Sequence, residues 1–406
     1  MSHPNSAART SETTSDLRRR IIDAGIELFD TRGFVNATLE EVCSETGINC
    51  DTLKAEFPTI YDLFRECMLT SARELRAATD IGVNVPSDTR QARTLLVSML
   101  ESLAAAHVAR RTRAGFVRGD YRYLTAEDQA ELRATHATVN ERIAALLHRV
   151  RPDLNSGDVE LLSLAAASTL ATAGAAPTVL PSPKLQTILV VSAMRLLESQ
   201  SALTARTGEF RQRMTPPWMA DKSKAGRVIA ATINLVYEKG FSAVTMKDIA
   251  RETGFPKWAI ERKVKNTADL LTAAFATGGA IMRDAMGTAA AAAGRLPRDI
   301  LLALSHKFVE HYFTDPKLMT VFILDGHHLP AQYAERAEQL HEEFMDGWLE
   351  NVKAIRPELA DAEARFLVYA ALNIVEDVGI HVNWEYDHEA MAKTERLVLA
   401  TLIGGR

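Results

Sequence analysis

The stretch Arg20-Ile-Ile-Asp-Ala-Gly-Ile-Glu-Leu28 returns 207 residues later as Arg227-Val-Ile-Ala-Ala-Thr-Ile-Asn-Leu235. At the same offset Gly33-Phe34 meets Gly240-Phe241, Thr38 meets Thr245, Glu45-Thr46-Gly47 meets Glu252-Thr253-Gly254, and Asp62-Leu63 meets Asp269-Leu270. The register holds without a gap from Arg20 to Leu63. A second echo, Arg151-Pro-Asp-Leu154 against Arg356-Pro-Glu-Leu359, runs at offset 205. The chain is therefore read as a duplicated module of about 200 residues, since a fixed-period repeat marks a repeated structural unit.

Within each copy apolar residues recur at helical spacing: Ile21, Ile22, Ile26, Leu28 and Phe29, then Val228, Ile229, Ile233, Leu235 and Val236. Gly33 and Gly240 stop these helices, and Thr38 and Thr245 stand where the next helix needs an N-cap. The second helix ends at Gly47 or Gly254 and a third begins at once. Helix, short glycine turn, helix is the helix-turn-helix pattern. Downstream, amphipathic helices are expected over 88–108, 125–151, 156–174 and 184–199, and over 297–313, 330–355, 360–381 and 388–402. No alternating strand pattern occurs, so the fold is all-α. The expected domains are 15–79, 80–199, a linker at 200–222 containing Thr215-Pro-Pro-Trp218, then 223–286 and 287–406.

Outward from the repeat, bulk properties set bounds. Of the 406 residues, 47% are hydrophobic and 24% charged, which excludes a disordered chain. No apolar run is long enough to span a membrane, and Met1 to Arg20 lacks the apolar core of a signal peptide. With only three cysteines, these features lead us to expect a cytoplasmic protein without disulfide staples. The net charge of −5 gives no hint of nucleic acid.

Local charge does. From Asn36 to Phe64 one base, Lys54, faces six acids, a net −5; the matching Ala243–Leu271 carries six bases and four acids, a net +2. In the mini-core of the first copy we place Val42, Cys43, Ile48, Leu53 and Phe57, matched by Ile249, Ala250, Phe255, Ile260 and Val264. This leaves Asn49, Cys50, Asp51, Thr52, Lys54, Ala55 and Glu56 outward, and Pro256, Lys257, Trp258, Ala259, Glu261, Arg262 and Lys263 outward in the second. Such residues reach base edges while flanking groups hold phosphate. The candidate contacts are Arg20, Thr38, Asn49, Asp51, Thr52, Lys54 and Thr59 in the first copy. In the second they are Thr245, Lys247, Lys257, Trp258, Ala259, Arg262, Lys263, Lys265 and Asn266. Thr59 with Asp62 and Asn266 with Asp269 read as capping boxes, leaving helix N-termini to offer N–H groups to phosphate. Trp258 reads either as an apolar contact to a thymine methyl or as packing on the first helix. Since phosphate neutralisation dominates affinity, the second copy is expected to be the stronger contact.

Ile22-Asp-Ala-Gly-Ile-Glu-Leu-Phe-Asp-Thr-Arg-Gly-Phe34, with Thr38-Leu-Glu-Glu-Val and Thr46-Gly-Ile, resembles the opening of the TetR family of bacterial transcriptional regulators. Thr245-Met-Lys-Asp-Ile-Ala-Arg-Glu-Thr-Gly-Phe-Pro-Lys257 resembles it more closely. Two such units in one chain are similar to actinobacterial tandem regulators, including a repressor of a mammalian-cell-entry operon. Tyr121-Arg-Tyr-Leu-Thr-Ala-Glu127 is similar to the ligand domains of lipid and sterol catabolism regulators. The sequence departs from the family where an aromatic-His pair and a phosphate-binding Ser-Lys are usual. Lys54-Ala55 and Thr59-Ile60 stand there in one copy, Glu261-Arg262 and Asn266-Thr267 in the other.

The resemblance implies a DNA-binding regulator with a double-stranded operator, and a pair of final helices that form a four-helix interface. With both halves on one chain that interface becomes an intramolecular pseudo-dimer, Leu161, Leu162, Leu164 and Ala165 to Thr169 packing against Phe366, Leu367, Tyr369, Ala370 and Ile374. Unlike recognition helices imply an asymmetric operator, and a repressor released by a small apolar or lipid-like ligand is the expected function. The alternative is a small-molecule or protein-binding module of this fold that has lost DNA binding. Residues 287–406 hold eleven aromatics against three in 80–200, so Phe308, Tyr312, Phe322 and His327 are the expected pocket wall. His306, Glu310, His311, His327 and His328 match no zinc motif, the cysteines read as unpaired, and no catalytic constellation or cofactor is expected.

Overall fold

The computed structural model describes residues 14–80, 82, 84–109, 120–176, 178–204, 207–213, 215–262, 264–324, 329 and 331–404. Among them there is no strand, and the helices form the all-α pair of units that the repeat predicts. The first unit runs α1 (Thr14–Arg32), α2 (Leu39–Thr46), α3 (Cys50–Glu56), α4 (Ile60–Ala78), α5 (Thr89–Ala109), α6 (Ala126–Val150), α7 (Ser156–Ala175) and α8 (Ser182–Glu198). The second runs α9 (Lys224–Lys239), α10 (Met246–Thr253), α11 (Lys257–Glu261), α12 (Thr267–Ala292), α13 (Pro297–Thr314), α14 (Pro316–Leu324), α15 (Ala331–Ile355), α16 (Asp361–His381) and α17 (His388–Ile403). The helices read from periodicity form within two residues of their expected ends. The short α14 carries a nearly unbroken apolar run, Leu-Met-Thr-Val-Phe-Ile-Leu, which has no polar face to reveal its period.

Four apolar cores result. One lies in each helix-turn-helix region, around Phe29, Leu53 and Phe64 and around Ile233, Val236 and Leu271. The helical regions downstream of them hold the others, and the larger crosses from one unit to the next. There Leu162, Ala165, Ala166 and Leu170 of α7 share a core with Phe366, Ile374 and Val378 of α16 and with Leu397 and Ala400 of α17. Small side chains let α7 and α16 approach closely, and burying each large one contributes about 1.5–3 kcal/mol. Across this seam the Asn373 amide donates to Thr172 Oγ1 at 3.1 Å, and Lys184 meets Glu363 at 3.0 Å.

The Arg-Pro-Asp/Glu-Leu echo has a physical cause. Arg151 donates to the Leu197 carbonyl at 3.2 Å and Arg356 to the Leu402 carbonyl at 3.5 Å, each 46 residues on. Asp153 and Glu358 pair with the same guanidiniums at 2.8 and 3.1 Å. In both units, then, an arginine satisfies a carbonyl in the last turn of the final helix, where none has a partner within the helix.

Within the segment 200–222, expected as a linker, residues 207–213 and 215–222 lie along the second unit. Phe210 is buried and stacks on His306 with ring centroids 4.2 Å apart. The Gly208 N–H donates to Glu395 at 3.3 Å, and a Cβ at Gly208 would come within 2.5 Å of the His306 ring. Trp218 is buried in the second helix-turn-helix core, and its indole N–H donates to Asp315.

Candidate nucleic-acid interface

The two helix-turn-helix units are built by the same local bonds. Thr46 and Thr253 each turn a hydroxyl back to a carbonyl four residues earlier, Val42 at 2.6 Å and Ile249 at 2.7 Å. The same hydroxyls accept from the N–H groups of Ile48 and Phe255, both at 3.3 Å. Between them Gly47 and Gly254 sit at φ 69° and 70°, a left-handed conformation that glycine adopts without steric cost. Arg20 and Arg227 then reach across to the Thr46 and Thr253 carbonyls, both at 2.8 Å. The chemistry of the Arg…Glu-Thr-Gly repeat is thus a fixed turn between two helices, and Arg20, expected to hold phosphate, is engaged in making it.

Several other expected contacts are likewise committed to helix starts. Thr38, Thr59 and Thr245 form complete capping boxes with Glu41, Asp62 and Asp248. Asn49 accepts from the Asp51 N–H at 2.7 Å, which caps α3. Asn266 caps the Asp269 N–H at 2.9 Å, but the Asp269 carboxylate returns to the Lys265 N–H at 2.8 Å, so the expected box closes one residue early. These side chains set where the first turns point.

Exposed on the first recognition helix are Asp51, Thr52 and Lys54. Lys54 pairs with Glu40 at 2.9 Å, a hydrogen bond that raises the lysine above its ordinary range and holds the Glu40 carboxyl below its own. Arg18 pairs with Glu56 and Glu66, and Arg32 with Glu41 at 2.5 Å. The few bases of this unit thus already face carboxylates.

On the second unit Lys247, Lys257, Arg262 and Lys265 are exposed. Lys257 meets Glu261 at 3.2 Å, whereas Lys247, Arg262 and Lys265 have no ion pair among the described residues. Trp258 is 67% exposed, so of its two readings packing on the first helix falls away. Ala259, expected to face outward, is 6% exposed; in the short α11 it shares the inner face with Ile260. Lys263 lies outside the described residues. Sequence reasoning passed over Arg251, which is exposed one turn after Lys247 on α10 and pairs with Asp248 at 2.6 Å. Its signal was the i, i+4 spacing of the two bases.

Cys43 and Cys50, read as unpaired, are joined by a disulfide between α2 and α3, their Cα atoms 5.5 Å apart. A glycine turn brings the two positions within reach despite a sequence separation of seven. Cys67 is buried, its thiol pushed well up by burial and directed at the Ile22 carbonyl at 3.5 Å.

Each helix-turn-helix unit is also tied to the helices downstream of it. In the first, Tyr61 and Arg65 of α4 donate to Asp128 of α6, both at 2.5 Å. Burial opposes ionisation of Asp128, yet hydrogen bonds from Tyr61, Arg65 and Thr125 hold its carboxyl below the usual range. In the second unit the tie is Asp315, where burial outweighs the bonds from Trp218 and Leu318 and raises the carboxyl. Between the units lies Tyr121–Tyr123. Arg122 donates to the Val236 carbonyl at 3.0 Å, and Tyr123 packs on Phe34 with centroids 5.5 Å apart while lying against Gly240.

The expected pocket residues are separated. Phe308 and Tyr312 are buried in one core with Trp348, Phe344 and Trp384 around them. Phe322 belongs to the other core, against Phe275 at 4.6 Å, because it sits on α14 rather than α13. His327 and His328 lie outside the described residues. Within the Phe308 core, Trp348 Nε1 and Ser305 Oγ are buried with no hydrogen-bond partner among the described residues. His306 pairs with the buried Glu395 at 3.0 Å, and no group of three metal-ligating side chains occurs among the described residues.

Residues 21–67 and 228–274 match the model of the bacterial regulatory proteins of the tetR family. No curated protein sequence matches the chain. Similar solved structures include a TetR-family transcriptional regulator from Bordetella parapertussis 12822, with 16% identity over 45% of this chain and 96% of that one and a TM-score of 0.40. A tetR-family regulatory protein from Rhodococcus RHA1 gives 18% over 46% and 100%, TM-score 0.40. The fatty acid degradation regulator FadR from Bacillus halodurans gives 18% over 45% and 96%, TM-score 0.37.

Proposed function

We propose that this chain, which carries two TetR-type helix-turn-helix units, is a ligand-responsive transcriptional regulator whose two halves act as an intramolecular pseudo-dimer on an asymmetric operator. The observation that carries the reading is the pairing of two identically built turns with opposite surface charge. Lys247, Arg262 and Lys265 are left to neutralise phosphate and Trp258 stands exposed on the recognition helix, while Lys54 is already paired. Counterion release makes the second unit the anchor, and the first adds position more than affinity. The α7–α16 seam supports the pseudo-dimer reading, since it fixes one unit against the other as an interface between subunits would.

Recognition helices meet successive major grooves only when about 34–36 Å apart. A ligand that favours another spacing releases DNA, and DNA weakens that ligand by the same factor. The ties at Asp128, Asp315 and Arg122 carry such a change between the ligand domains and the helix-turn-helix units. We place the ligand in the aromatic core of the second unit. Phe308, Tyr312 and Trp348 favour an apolar body, and Trp348 Nε1 with Ser305 Oγ favour one polar end that accepts a hydrogen bond. Repression, with release by such a ligand, is the expected sense.

The test is selection of duplexes from random DNA by the full chain, followed by footprinting of the winner. Two unlike half-sites of unequal salt sensitivity are expected. A good inverted repeat, both halves equally sensitive to mutation, overturns the asymmetric operator. Recovery of no duplex at low salt favours the module that has lost DNA binding.

A further inference from the structure

The disulfide lies where the two turns, otherwise built alike, are held differently. In the second unit the positions of Cys43 and Cys50 are taken by Ala250 and Lys257, and the turn forms with the same threonine, glycine and arginine bonds. The crosslink is therefore surplus to making the turn. What it adds is a tether on α3, whose other hold on α2 comes from the apolar contacts of Val42, Ile48 and Leu53 and from the exposed Lys54–Glu40 pair. Cys50 is half-buried and opens the recognition helix, while Cys43 lies beneath it at 7% exposure. The third cysteine is fully buried against α1 and does not compete.

We propose that Cys43 and Cys50 form a reversible thiol–disulfide site, its reaction partner a low-molecular-weight disulfide, that sets the order of the first recognition helix and so its contact with DNA. The accessible Cys50 thiolate attacks one sulfur of the small disulfide, forms a mixed disulfide and expels one thiolate. The Cys43 thiolate then attacks the Cys50 sulfur and expels the second. The protein loses two protons and two electrons, and two small thiols leave carrying them. Reduction reverses both steps. Because the bases of this unit already face carboxylates, phosphate does little to hold α3 on DNA, and preordering of the helix accounts for most of its contact. The DNA half of the proposal rests on the reading above; the thiol half does not.

The full chain is equilibrated over a series of reduced to oxidised glutathione ratios and read three ways. Alkylation with peptide mass spectrometry is expected to show Cys43 and Cys50 changing together while Cys67 stays protected in the folded protein. Hydrogen exchange is expected to speed up on reduction, about tenfold for amides in 50–57, with 257–262 unchanged. Affinity for a duplex selected by the oxidised protein is expected to fall about threefold or more. The double variant Cys43→Ala with Cys50→Lys, which installs the second unit's residues, should lose all response. Absence of the crosslink at every ratio, or equal exchange in both segments, overturns the thiol site. Exchange that responds while affinity does not overturns its control of DNA contact. Failure to bind DNA in either state, with the exchange response intact, instead overturns the regulator reading.

Discussion

The two helix-turn-helix units share a backbone plan and differ in how their surfaces are balanced. In the first, acids neutralise the bases and a disulfide ties the recognition helix down. In the second, Lys247, Arg262 and Lys265 have no ion pair among the described residues and an indole is offered to solvent. The difference teaches that the turn and the surface are specified separately. Thr46 and Thr253, Gly47 and Gly254, and Arg20 and Arg227 build the turn, and the positions between them are open to diverge.

That comparison is most severely tested at the cores. Leu53→Ala and Ile260→Ala empty equivalent buried positions, and each should cost about 2–5 kcal/mol by denaturant unfolding. A much smaller loss in one unit would mean that its α2–α3 or α10–α11 packing is not what holds the turn. The next largest effect is on DNA. Lys257→Ala with Arg262→Ala should weaken binding about tenfold or more and flatten the salt dependence by roughly two phosphates. Lys54→Ala with Asn49→Ala should do far less, and the reverse order in a titration at fixed salt would refute unequal contact. Arg20→Ala and Arg227→Ala should each lower stability by about 1–2 kcal/mol, because each removes a bond to the equivalent threonine carbonyl; no loss in one unit would show that its turn holds without the arginine.

The smallest effect is one of pH, and the two units should move in opposite directions. Asp128 has a folded value below its unfolded one, so its contribution is present above the ordinary aspartate range and fades as acid protonates it. Asp315 is raised, so its folded form takes up a proton first, and the cost of burying its charge is relieved as pH falls through that raised value. Hydrogen exchange followed from about pH 5 to about pH 2 should show α4 loosening from α6 while the junction of α13 and α14 around Asp315 does not loosen. Parallel loosening of both would sink the contrast.

Much of this was legible in the sequence because helices announce themselves by period and caps by residue type. The repeat fixed the turns, and eleven aromatics against three marked the unequal downstream helical regions. What escaped did so for physical reasons. Ala259 is small and carries no signal of facing inward on a helix of little more than one turn. Cys43 and Cys50 look unrelated along the chain, and only the left-handed glycine between them makes them neighbours. Asn49, Thr38 and Thr59 were read as reaching for DNA, but a short polar side chain at a helix start finds its own backbone first. Phe322 was grouped with Phe308 by proximity in sequence, though one lies on α13 and the other on α14, in separate cores.

The segment carrying Gly208, Phe210 and Trp218, laid on the second unit, joins the two halves within a single chain. A regulator assembled from separate subunits comes apart on dilution, so its occupancy of DNA varies with how many copies a cell holds. Here the partner is always present at an effective concentration set by the covalent connection. On the pseudo-dimer reading, assembly of the two halves no longer depends on how many copies are present, although occupancy of DNA still follows the concentration of the chain.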